Sequence, residues 1–392
     1  MLSIAVDVKE NIEPAVAYAA PHEAFVAVWA SEQDVSTHDI WARAVTSDGT
    51  LQSTFVVESN VGQRLHEPAV AYGSAQDEYL VVYIDQAWSI WARRISWNGP
   101  GATSSFAIDS SPGGHNPAVA YNSQSDEFLV VYEASGGDIK AVLVTADTGI
   151  ASSPTSLASA TPSKYHSRPD VAYDPVNNQF IVGYEYDEPT SRDGILIRTV
   201  AADLSGMSPE YEIAGYSNAR EVTRPAISTA PSGVLVAFEY YEGLNMSIYA
   251  RRAELDGTPL EPTNGFLVLS STNNLSKGKP DVCHDGDGRH LVVWRSFDIS
   301  ISDGNIQGQY ISATSNQTIG SRFGIDTSPG DQDEPAVACK GDGLALVALS
   351  DQPNPTPNDF DVVGYLVDSN LFADDFESGD CSEWSTVVGE LP

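Results

Sequence analysis

Apolar residues come in short blocks along this chain, and the blocks recur. A proline opens each recurrence, at Pro14, Pro68, Pro117, Pro169, Pro225, Pro280 and Pro335, with intervals of 54, 49, 52, 56, 55 and 55 residues. After each proline comes a run of strand formers (PAVAY three times, then PDVAY, PAIST, PDVCH and PAVAC) and a turn rich in Ser, Asp, Asn or Gly, such as SAQD, DPVNN or KGDG. Strand formers closed by such a turn predict a hairpin. The returning strand is almost unbroken apolar sequence: FVAVW, YLVVY, FLVVY, FIVGY, VLVAF, LVVW and LALVAL. A strand wetted on one face alternates apolar and polar side chains, so an unbroken run predicts cover on both faces. A third strand follows (IWARAV, IWARRI, IKAVLV, ILIRTV, IYARRA, IQGQYI, VVGYLV), and a weaker fourth, such as TFVVES or FLVLSS, leads to the next proline.

Four antiparallel strands per unit of about 50 residues, the middle ones buried between like units, predict an all-β fold, a single seven-bladed β-propeller over residues 1–369. No segment keeps a 3.6-residue apolar period for three turns, which removes helical solenoids, and a parallel β-helix would repeat at a far shorter interval. The seventh copy supplies three strands and ends in VVGYLVD, while SIAVD, residues 3–7, stands before the first proline. The amino-terminal strand is therefore expected to complete the last blade and leave no free sheet edge. Residues 370–392 fall outside the repeat as a carboxy-terminal tail.

Charge narrows the partners. Net charge is -34 with a pI near 4.2, the wrong sign for the electrostatic attraction that nucleic-acid binding requires. No apolar run approaches 18 residues, so membrane insertion is not expected, and the start MLSIAVDVKEN shows no basic segment followed by a long apolar one, so no signal peptide is expected within this chain. Three cysteines without a CxxC pair exclude a disulfide scaffold and a cysteine zinc site. Cys283 and Cys339 sit in the first strands of neighbouring repeats, where they read as small buried hydrophobes, with a bridge between them left open.

The stretch FADDFESGDCSEWS resembles the short FESGD…W tails of many secreted bacterial proteins, with Cys381 where those tails have an aliphatic residue. The pattern PAVAY…YLVVW…IYAR resembles repeats of uncharacterised bacterial extracellular propellers. Together these resemblances imply export from a bacterial cell and no particular activity.

Connecting loops on a rigid scaffold are where ligands bind, and in a propeller the loops leading to the innermost strands gather at one mouth of the central channel. The residue before each repeat proline marks that mouth: Glu13, Glu67, Asn116, Arg168, Arg224, Lys279 and Glu334. Three consecutive cations face an arc of carboxylates, so the mouth is expected to be electrically two-sided, and the basic arc would suit a uronate or sulfate. The aromatics Trp29, Tyr83, Tyr132, Tyr184, Phe238 and Trp294 recur at one repeat position and are expected in the core. Trp88, Tyr186, Tyr240, Tyr241 and Phe297 break that register and become candidates to stack on sugar rings.

Signals for chemistry are few. DISISDGN, residues 298–305, offers calcium a partial loop without the distal bidentate Glu, and no other cofactor is expected. HExxH, GxSxG and a Gly-rich phosphate loop are all absent. Tyr165, His166 and Arg168, in YHSR, would supply the proton mover and cation of a lyase acting on uronate-containing polysaccharide, and Glu13, Glu67 and Glu334 could supply the carboxylate pair of a glycoside hydrolase. The leading expectation is an extracellular binding or scaffold module, its partner a glycan or a surface protein held at the channel mouth by Tyr165, His166 and the seven pre-proline residues.

Overall fold

The structure, a computed structural model, describes residues 1–5, 9–34, 37–59, 62–101, 103–188, 192–216, 220–242, 245–269, 275–298, 300, 303–352 and 360–369. Strand pairing follows the repeat. In the first unit Asn11–Ala19 pairs with Ala24–Asp34, then Thr37–Thr46, then Phe55–Glu58, all antiparallel. The same order recurs in the units opened by His66–Gly73, His115–Asn122, Tyr165–Asp174 and Arg220–Ala230, giving five separate four-stranded sheets. The sixth and seventh units, opened by Leu275–His284 and Asp331–Cys339, form one eight-stranded sheet joined by a single parallel bridge between Gly304 and Asp331. Strand Leu2–Ala5 pairs with Asp361–Asp368, the third strand of the seventh unit, so the two ends of the repeat array meet in one sheet.

The unbroken apolar strands are covered on both faces: Phe25 to Val28 and Leu80 to Val82 are fully buried. Their side chains enter apolar clusters shared by successive units. One cluster joins Val26, Val28 and Ile40 of the first unit to Tyr79 and Val81 of the second. Another joins Ile4, Leu346 and Val362 to Phe25 and Trp29, tying the last unit to the first. The recurrent aromatics lie in this core as expected, none more than 2% exposed. First strands neighbour one another in chain order, and Asp331–Cys339 in turn neighbours Asn11–Ala19, which closes the inner ring.

One expectation about the cysteines is corrected. Cys283 and Cys339 form a disulfide with Cα atoms 5.6 Å apart. Cys283 lies three residues after its proline and Cys339 four after its own, so side-chain alternation turns the two toward each other between adjacent units.

Candidate functional site

The repeat proline decides the geometry of the mouth. Proline cannot donate to a ladder, and in each first strand the register slips across it, between Ile12 and Ala15 in the first unit and at the equivalent step in the other six. The residue before each proline takes a left-handed backbone, with φ between 44° and 56° at Glu13, Glu67, Asn116, Arg168, Arg224, Lys279 and Glu334. Side chains other than glycine adopt that conformation rarely and at a cost of the order of 1 kcal/mol. All seven residues, each with its proline, line one cavity of about 490 Å³ where the first strands converge.

A bulged backbone N–H has lost its ladder partner and needs another acceptor. Carboxylates supply it around the whole ring. The N–H of Glu13 donates to Glu334 Oε2 at 2.9 Å, that of Glu67 to Glu13 Oε2 at 2.6 Å, and that of Asn116 to Glu67 Oε2 at 2.5 Å. In the units of Asn116, Arg168 and Arg224 the carboxylate that serves the next unit's N–H stands instead on the unit's own second strand. Glu133 accepts from the N–H of Arg168 at 3.5 Å, Glu185 from that of Arg224 at 2.6 Å, and Glu239 from that of Lys279 at 2.6 Å. The sixth unit has Arg295 at that second-strand position, and the N–H of Glu334 donates to the neighbouring Asp333 at 2.8 Å.

The same carboxylates hold the cations. Arg168 Nη1 reaches both oxygens of Glu185, at 3.0 and 3.2 Å, and Lys279 Nζ bridges Asp333 at 2.9 Å and Glu334 at 3.2 Å. Arg224 has a looser contact, Nε to Glu239 at 3.5 Å. The basic arc is therefore present but lined with its own counter-ions, and two of its three cations are committed to them.

Burial changes protonation inside the ring. Glu13 is pushed up to about 7, first by desolvation and then by the adjacent Glu334 and Glu67 charges. Asp170 and Asp281, the residues after the fourth and sixth prolines, each accept two backbone N–H groups, one of them from a following unit: Ile227 to Asp170 at 2.6 Å and Val337 to Asp281 at 2.7 Å. Desolvation raises Asp170 to about 7, helped by the Asp281 charge, and Asp281 to about 6. The sequence reading passed over both, although PDVAY and PDVCH stand apart from the PA of the other five repeats.

Tyr165 and His166 are not on the cavity wall. They lie on opposite faces of one strand: Tyr165 is exposed, whereas His166 is buried against Tyr184, its lowered pKa set by desolvation and both ring nitrogens without a partner. The set expected for a lyase, Tyr165, His166 and Arg168, does not converge. Of the aromatics expected to stack on sugars, Tyr186 and Tyr240 are buried, because alternation along an over-long second strand carries them back into the core. Trp88 is 40% exposed and packs on His115, with ring centroids 4.3 Å apart. In the expected calcium loop Asp298 accepts from Ser300, Ser302 lies outside the described residues, and no group of three metal-ligating side chains occurs among the described residues. The tail, with Cys381, also lies outside them.

No family model and no curated protein sequence matches the chain. Solved structures are similar in shape. The β-propeller domain of the Trilobed protease from Pyrococcus furiosus aligns over 94% of this chain and 98% of its own, with 9% identity and a TM-score of 0.51. The fold is a β-propeller. Prolyl oligopeptidase B from Galerina marginata aligns over 93% of this chain and 52% of its own, with 8% identity and a TM-score of 0.52, so the propeller spans about half of that protein's length. An α-L-arabinanase from Penicillium chrysogenum complexed with arabinobiose covers 94% of this propeller and 98% of its own chain, at 12% identity and a TM-score of 0.48. At these identities the likeness extends to the fold alone.

Proposed function

We propose that the chain is a single seven-bladed β-propeller, exported by a bacterium, that binds a glycan at the channel mouth. The 28 strands among the described residues, the ring of seven first strands and the pairing of Leu2–Ala5 with the last unit support the blade count. A disulfide between Cys283 and Cys339 supports an oxidising compartment. The observation that carries the binding reading is the cavity of about 490 Å³ ringed by seven equivalent side chains whose backbone is pinned by carboxylates. Fixed carboxylates and the Asn116 amide present acceptors that suit sugar hydroxyls, and the exposed face of Trp88 suits a sugar ring.

Glycoside hydrolysis is the second reading, favoured by one observation: Glu13, pushed up to about 7, stands beside the carboxyl groups of Glu67 and Glu334, and a protonated acid beside a second carboxyl group is what such hydrolysis uses. Incubating the intact chain with an array of plant and bacterial glycans tests both. Retention of a glycan, weakened roughly tenfold or more by Glu67→Gln, supports binding. Release of reducing sugar that disappears in Glu13→Gln supports hydrolysis. An array with neither result, alongside capture of a bacterial surface protein, replaces the glycan with a protein partner.

A further inference from the structure

A second cavity, of about 300 Å³, opens between the fifth and sixth units and shares Arg224 and Lys279 with the mouth. The sixth unit has glycine two residues before its proline, where the other units have Ile12, His66, His115, Ser167, Thr223 and Asp333, and this glycine lines the cavity. A Cβ at Gly278 would stand 2.6 Å from Met246 Sδ and 2.8 Å from Glu239 Oε1, so a side chain there would displace both of these lining groups.

The polar groups around this cavity are unevenly satisfied. Glu239, at its floor with a side chain only 2% exposed, is saturated: it accepts from Thr223 Oγ1 at 2.9 Å, Tyr241 OH at 3.0 Å and the Lys279 N–H at 2.6 Å, and it meets Arg224 Nε at 3.5 Å. Arg295 is held as well, Nη2 by Asp331 at 2.6 Å and Nη1 by Asp333 at 3.5 Å, with its guanidinium over the Phe297 ring at 4.2 Å. Arg224 is not: it is 42% exposed, and its two terminal nitrogens have no hydrogen-bond partner among the described residues. A guanidinium open to the cavity suits an acceptor-rich, anionic ligand. Tyr241, Met246 and Phe297 give the cavity an apolar wall, which a fully hydrated inorganic anion would leave uncovered and a ring would cover. The volume stands at the low end for small-ligand pockets and suits one ring-sized unit.

We infer that this cavity is a side subsite for a carboxylate-bearing sugar residue of the bound glycan, with its carboxylate toward Arg224 and its ring against Phe297 and Tyr241. The choice of ligand class rests on the glycan reading above. The anionic group expected of the basic arc is thereby moved off the ring, where Arg168 and Lys279 are already neutralised, into the gap between the fifth and sixth units.

Calorimetric titration of the intact chain with free galacturonate, trigalacturonate and neutral galactotriose tests the inference. Trigalacturonate is expected to bind roughly tenfold or more tightly than galactotriose, and Arg224→Gln and Gly278→Ala each to remove most of that preference. A thermal melt of Gly278→Ala matching that of the parent chain would show that the plugged cavity, and not misfolding, is responsible. Equal affinity for the acidic and neutral trisaccharides, or a preference that survives Gly278→Ala, overturns the subsite while leaving glycan binding at the mouth intact. Free galacturonate held by the parent chain and lost in Gly278→Ala, with no larger glycan bound, keeps the subsite and overturns the mouth. A parent chain that binds no galacturonate in any form overturns the subsite.

Discussion

Two halves of the same ring meet one backbone demand in different ways. From the seventh unit through the second, the pre-proline residue is Glu334, Glu13 or Glu67, and its carboxylate takes the next unit's bulged N–H directly. In the third to fifth units the pre-proline residue is Asn116, Arg168 or Arg224, and the acceptor is Glu133, Glu185 or Glu239, which lies across the strand pair. At the matching second-strand position the acidic units carry Ser350, Ala30 and Ile84. The swap teaches that a carboxylate at the bulge is the invariant and its position in sequence is not. Moving it one strand outward leaves the pre-proline position free to carry a cation. In these six units, whether a carboxylate stands at the mouth therefore follows from where the structural carboxylate is placed; the sixth unit, with Lys279 before its proline and Arg295 on its second strand, departs from the rule, and the next N–H turns to Asp333.

The comparison can be broken most severely at Glu239. Glu239→Ala would leave the Lys279 N–H, Thr223 and Arg224 without their acceptor at a buried site, and should cost about 3–5 kcal/mol in urea unfolding. A loss below about 1 kcal/mol would mean that water replaces the carboxylate and that the basic arc does not depend on it. Next in size, Cys283→Ser unlinks the last basic unit from the first acidic one and should cost about 2–4 kcal/mol by the same measurement, whereas the parent chain under reductant should match it.

Protonation separates the arcs more finely. Glu13 moves from an ordinary 4.5 to about 7 on folding, so between those values it holds more proton in the folded chain than in the unfolded one, and the stability it contributes is lost as pH rises. Asp170 and Asp281, raised to about 7 and about 6, act in the same direction. His66 and His290, lowered by desolvation to about 4 and about 3, act the other way, so the carboxylate share is read as a difference: between about pH 5 and about pH 8 the parent chain should lose about 1–3 kcal/mol of unfolding free energy relative to Glu13→Gln. A parent chain whose pH dependence matches that of Glu13→Gln would reverse the assignment. The smallest effect is expected at Arg168→Gln, whose 42% exposed side chain shares its charge with water as well as Glu185: about 1 kcal/mol or less, readable as a small shift in the thermal midpoint.

Much of this molecule was legible along the chain. Pro14 and its six counterparts located every first strand, unbroken runs such as YLVVY predicted strands buried on both faces, and SIAVD before the first proline anticipated the pairing of Leu2–Ala5 with Asp361–Asp368. The seven pre-proline residues were expected at the mouth and line its cavity. Other features needed contacts between units. Glu185 stands 17 residues beyond Arg168 in sequence, and only antiparallel pairing brings them together, so a count of cations could not show that the arc was already paired. His166 looked equivalent to its neighbours in YHSR until strand alternation turned it inward, and the offset of Cys283 and Cys339 about their prolines acquired meaning once two sheets faced each other.

The sequence by itself determined the repeat, its strands, its turns and the faces they bury, because those follow from local apolar periodicity and from what proline forbids its own backbone to do. Only the tertiary structure decided which charges are neutralised, which carboxylates are protonated near neutrality, and that a cavity lined by Arg224 and Gly278 stands beside the mouth. Those depend on desolvation and on distances between units that are some 50 residues apart in the chain, and no local pattern encodes them.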